Sequence, residues 1–155
     1  MFLIKNKYPW MAAIRMMDPS LSNGNLPWCG GTLVASKYVI TAAHCLFTRG
    51  GRALTEKDFN VRLGEHNTHG SLDIPEVDIA VEKLIKHPQF NGDWRDSNDI
   101  AVIKLAEEAN MKLYTPVCLA TTSDDNSFYD KKAQVYQLSI FYLVTHSIGF
   151  KVLQG

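Results

Sequence analysis

The side chains best suited to chemistry in this chain are a histidine, His44, set between two alanines and a cysteine, and an aspartate, Asp99, that opens an apolar run. An imidazole takes and returns protons near neutral pH. A carboxylate that accepts its second ring N–H fixes the tautomer and stabilises the imidazolium. Such a pair serves general acid–base catalysis and needs a third group, a nucleophile, to activate. Asp99 precedes Ile100-Ala101-Val102-Ile103-Lys104-Leu105, an alternating strand pattern that would bury its carboxylate at the strand start. The plainer alternatives are a satisfied structural or surface histidine and an aspartate that only caps a turn.

Three cysteines, Cys29, Cys45 and Cys118, show no C-x-x-C zinc or redox spacing. Cys29 and Cys45 could pair with each other, which leaves Cys118 over. Residues 28–45 read W-C-G-G-T-L-V-A-S-K-Y-V-I-T-A-A-H-C, two apolar strands around a turn at Ser36-Lys37. A bridge from Cys29 to Cys45 would close that hairpin and stabilise it by about 3 kcal/mol on the chain-entropy account. It would also pin His44 beside a strand end, where Ala42 and Ala43 leave room for a substrate. Glu65, His66 and His69 lack a further clear ligand for zinc.

The elements that must position these groups read as six short strands, near Tyr8–Arg15, Pro27–Ala35, Tyr38–Ala43, Phe59–Leu63, Val77–His87 and Asp99–Leu105. Turn residues such as Asp18-Pro19, Gly50-Gly51 and Asn91-Gly92 separate them. A turn of helix is expected around His44 at Thr41–Leu46, and a short helix at Ala53–Asp58. Regular short strands with little helical periodicity indicate an all-β antiparallel barrel or sandwich. Apolar residues make up 46% and charged residues 21%, which suits a packed domain and not a disordered one. Lys+Arg and Asp+Glu balance at 16 each, so nothing points to nucleic acid or an anionic membrane. The apolar start Met1–Ile4 is cut off by Lys5 and Lys7, too short for the roughly 7–15-residue core of a secretory signal. The run Leu138–Val144 falls short of the roughly 18 apolar residues of a membrane span.

In the T-A-A-H-C element at Thr41–Cys45 and the D-I-A-V-I-K-L element at Asp99–Leu105, the chain closely resembles the trypsin/chymotrypsin-like serine proteases. Tyr8-Pro9-Trp10-Met11, Val61-Arg62-Leu63-Gly64-Glu65, Lys86-His87-Pro88 and Pro116-Val117-Cys118-Leu119 match further landmarks of that family in order. The resemblance implies a six-stranded antiparallel Greek-key barrel over residues 8–105, after a non-matching start at 1–7. It implies an inter-barrel connection and the beginning of a second barrel at 106–135. It also implies that His44 is the general base, that Asp99 orients it, and that Cys29 and Cys45 are bonded. Relatives bind calcium in the loop that corresponds to Glu65–Glu76, which here offers Glu65, Asn67, Asp73 and Glu76; a solvated acidic loop is the plainer alternative. No other cofactor is implied.

The resemblance stops near Val135, and residues 136–155 form a divergent, charge-poor tail. The family's nucleophile lies in a G-D-S-G-G run, and these residues contain none. Ser123, Ser127, Ser139 and Ser147 lack the flanking glycines that would form backbone oxyanion donors. The expectation is therefore a serine endopeptidase chain with an incomplete second barrel and no nucleophile, inactive by itself. A second reading is a non-catalytic homologue that binds a protease or inhibitor partner as a regulatory module. Partners are a protein substrate or such a protein. Secretion is implied by the family, and the cysteines suit an oxidising compartment.

Overall fold

Phe59–Leu63 (β4) and Ala101–Leu105 (β6) alternate buried and partly exposed residues along their whole length. That is the period-two pattern of strands with one face in a core. The structure, a computed structural model, describes residues 8–21, 26–65, 75–92 and 98–119, and the pairs 133–134 and 147–148. The remaining strands of the first unit are β1 (Met11–Met16), β2 (Cys29–Ala35), β3 (Tyr38–Thr41) and β5 (Val77–Lys86). They close with β4 and β6 into a barrel of order β1-β2-β3-β6-β5-β4, in which β1 pairs with both β2 and β4. Every pairing is antiparallel. The expected all-β Greek-key barrel is thus present, and closure leaves the sheet no free edge. Contacts divide the chain into Met1–Cys118 and Leu119–Gly155. In the second unit, the two-residue strands β7 (Ala133–Gln134) and β8 (Ser147–Ile148) pair antiparallel.

Several strands are shorter than their sequence patterns suggest, each for a local reason. β1 begins at Met11 because Tyr8–Met11 is a turn, with the Met11 N–H donating to the Tyr8 carbonyl at 3.1 Å. Pro9 inside that turn has no N–H to give to a ladder. β3 ends at Thr41, where the chain tightens into a single 3₁₀ turn over Ala43–Leu46. β6 begins at Ala101 because Asn98 adopts φ 73° and the Ile100 N–H folds back onto the Asn98 carbonyl at 2.7 Å. Asparagine tolerates that left-handed backbone better than most residues. The helix expected at Ala53–Asp58 shrinks to one 3₁₀ turn, Glu56–Asp58, capped reciprocally by Thr55 and Asp58. Those bonds from Thr55 hold the Asp58 carboxyl below its ordinary range.

The barrel interior is filled by Ile14, Leu33, Val39, Val61, Leu63, Ile103 and Leu105, all fully buried. Burying side chains of this size supplies about 1.5–3 kcal/mol each relative to exposure. Close approach of β2 to β3 requires glycine at position 31, where a Cβ would lie 2.7 Å from Val39 Cγ1 and 3.2 Å from the Ile40 carbonyl oxygen. β-bulges in β2 and β5 bend the sheet toward closure. Among the described residues, no helix is long and apolar enough to cross a membrane.

These packing relations predict that Ile103→Ala costs about 2–5 kcal/mol through a cavity. Gly31→Ala should cost about 1–3 kcal/mol through overpacking against the stiff Val39 side chain. Urea denaturation of the purified chain measures both; a loss below about 0.5 kcal/mol in either variant would contradict the packing described.

Candidate active site

Two strand ends deliver His44 and Asp99 to one rim of the barrel. β3 and β6 pair with Thr41 opposite Ala101. The chain therefore leaves β3 toward His44 at the rim where it enters β6 from Asp99. The two residues are 55 positions apart in sequence, and their side chains are in direct contact.

The Asp99 carboxylate accepts two hydrogen bonds. Oδ1 takes the backbone N–H of His44 at 2.8 Å, and Oδ2 takes the ring at Nδ1, 2.7 Å away. An ionised carboxylate only accepts, so the bridging proton is on Nδ1 and the neutral ring keeps its lone pair on Nε2. The His44 side chain is 48% exposed and that of Asp99 20%. The ring thus meets solvent while its anchor is largely covered. Chemically, the arrangement can take a proton at Nε2 and hold the resulting cation against a fixed anion.

The turn that carries His44 is fastened from several sides. Cys29, the first residue of β2, is bonded to Cys45, one position after the histidine. Trp28 donates its indole N–H to the Cys45 carbonyl at 2.8 Å, and Thr41 donates its hydroxyl to the Gly30 carbonyl at 2.8 Å. Ala43, the first residue of the turn, is fully buried. The bond between Cys29 and Cys45, open in the residue reading and implied by the resemblance, is formed; Cys118 is exposed and unbonded. The ligand atoms of Cys29, His44 and Cys45 lie within 4.8 Å of one another. Two sulfurs bonded to each other are not thiolates, so they do not form a metal site in this state.

The acidic positions near Glu65 behave differently. Glu65 is buried, and both of its carboxylate oxygens lie 3.3 Å from Arg15 NH1. Glu76 accepts from Arg62 NH1 at 3.0 Å. Asn67 and Asp73, with His66 and His69, lie outside the described residues, as do Ser123, Ser127 and Ser139. The supporting roles of Trp28, Thr41, Arg15 and Arg62 were missed from sequence. Only the placement of Trp28 directly before a cysteine hinted at one of them.

Comparison with known proteins adds the decisive observation: the family model described as Trypsin matches residues 4–136. The chain belongs to the trypsin family. It is 35% identical to Melanization protease 1 of Drosophila melanogaster, over 84% of this chain and 36% of the relative. It is 35% identical to CLIP domain-containing serine protease HP8 of Bombyx mori, over 77% of this chain and 34% of the relative. Trypsin-4 of Rattus norvegicus matches 58% of this chain at 42% identity, which is 32% of that protein. The chain therefore spans about a third of the length of these trypsin-family relatives.

The double hydrogen bond at Asp99 predicts the outcome of Asp99→Asn. The asparagine NH₂ would face the ring, and the imidazole would lose its bias toward the Nδ1–H tautomer. Nitrogen-15 NMR of His44 should report protonation at Nδ1 in the native chain and a shift toward Nε2–H in the variant. Unchanged ring shifts would show that Asp99 does not set the tautomer. Removing the bond between Cys29 and Cys45 by paired Cys→Ala substitutions should cost about 2–5 kcal/mol, read by urea denaturation.

Proposed function

We propose that this chain carries the general-base part of a trypsin-like serine endopeptidase, and that the polypeptide of these residues is inactive by itself. The observation that carries the first part is the contact from Asp99 Oδ2 to His44 Nδ1 at 2.7 Å. In peptide-bond hydrolysis of this kind, His44 Nε2 takes the proton of an attacking serine hydroxyl and later returns it to the leaving amine. Asp99 stays ionised throughout and stabilises the imidazolium. The second part rests on the sequence. It contains no G-D-S-G-G run to supply a nucleophile with adjoining backbone oxyanion donors. Without the nucleophile the imidazole has no hydroxyl to activate, and the covalent route is closed.

On this reading residues 8–105 are the first barrel, 106–135 lead into a second, incomplete one, and 136–155 are a separate tail. The substrate class is protein, and the protein is secreted, in keeping with a disulfide formed in an oxidising compartment. The missing nucleophile run also favours the alternative of a non-catalytic regulatory homologue, which a specific protease or inhibitor recovered by pull-down with the purified chain would support.

The purified chain is expected to leave fluorogenic peptide substrates uncleaved and to take no label from a fluorophosphonate serine probe. Turnover that the fluorophosphonate abolishes would defeat the proposal.

A further inference from the structure

We infer that Arg15 and Arg62 take the place of the calcium ion that the family resemblance implies between Glu65 and Glu76, so that this chain ties the ends of its β4–β5 connection with its own guanidinium groups. The inference does not depend on the catalytic reading.

A calcium site needs several oxygen donors with free lone pairs, at about 2.3–2.6 Å from one ion. Both described carboxylates of the implied set are already engaged. Glu65 is buried, its two oxygens lie 3.3 Å from Arg15 NH1, and the Arg15 side chain is only 13% exposed. Arg15 thus supplies the counter-charge that a buried carboxylate requires. Glu76 is held by Arg62 NH1 at 3.0 Å, and the rest of the Arg62 fork is bidentate on Asp78, with Nε–Oδ1 at 2.7 Å and NH2–Oδ2 at 2.6 Å. The β4–β5 register places Arg62 opposite Asp78, so this pairing is built into the sheet. Two fixed guanidinium charges face three carboxylates. A calcium ion would have to compete with these guanidinium groups for Glu65 and Glu76.

The ends of the connection are also closed without a metal. Gly64 has φ +83°, and a Cβ there would lie 2.8 Å from the Pro75 carbonyl oxygen. The Tyr114 hydroxyl donates to that same carbonyl. Backbone contact, a phenol and two guanidinium groups therefore perform the closure that a bound ion would otherwise provide.

The experiment compares thermal unfolding of the full chain in millimolar calcium chloride and in chelator, for the native sequence and for Arg15→Met. Methionine keeps an apolar stem and removes the charge. The native midpoint should be the same in both solutions. Arg15→Met should melt lower in chelator and regain part of the loss in calcium, because Glu65 is then free to ligate. A native midpoint that rises with calcium overturns the inference, as does an Arg15→Met midpoint that calcium leaves unmoved. If Arg15→Met does not fold in chelator, folded yield is the readout. Recovery in calcium supports the inference and no recovery overturns it.

Discussion

The geometry of this site depends on the antiparallel pairing of β3 with β6. It alone brings Asp99 to His44 across 55 positions of sequence. The pairing fixes more than proximity. Because side chains alternate between faces, a slip of one residue would send the apolar positions of β6 outward and move the entry to that strand. Ile103 and Leu105, fully buried in the barrel, oppose such a slip. The core therefore holds the register, and the register holds the carboxylate against the ring. Core packing and the geometry of the His44–Asp99 pair are one constraint, read at the strand interior and at the strand end.

Around that pairing, the His44 turn is tied down redundantly. A covalent bond to Cys29, an indole hydrogen bond from Trp28 and the carboxylate bond to the His44 backbone N–H all act within a few residues of the imidazole. A 3₁₀ turn of four residues has little stability of its own. Tertiary attachments must supply its rigidity. The result is a half-exposed ring at the barrel rim whose Nδ1 meets Asp99 and whose Nε2 lies 3.7 Å from the Cys45 sulfur. An imidazole held this way loses little orientational freedom when a reacting group arrives, which is how positioned groups lower barriers.

The charged residues divide into two classes with different physical weight. Lys104 and Glu82 pair on an exposed strand surface, where solvent screening leaves such contacts worth little. Arg15, Glu65, Arg62, Glu76 and Asp78 are more enclosed, and their bonds include a bidentate fork and a buried carboxylate. Glu65 alone of these is buried, so removing Arg15 would strand its charge away from water. Arg62 is held well above even its ordinary range, chiefly by its bonds to Asp78, and remains charged at any relevant pH.

Strand alternation in β4 and β6, the cysteine-flanked hairpin and the flanks of His44 and Asp99 are all local patterns, so the sequence alone set the all-β class, the family and the candidate pair. Strand ends were less legible. The Tyr8–Met11 turn and the positive φ at Asn98 are decided by hydrogen bonds to near neighbours that a hydropathy pattern does not encode. Trp28, Thr41, Arg15 and Arg62 could not be assigned partners from spacing, because each reaches a group 11 to 50 positions away or on a neighbouring strand. Sequence thus determined which chemistry the chain can offer, since side-chain type and local periodicity are written residue by residue. Tertiary structure decided which carboxylate meets the imidazole and which meet arginine. Those contacts exist only once barrel closure has fixed the strand register.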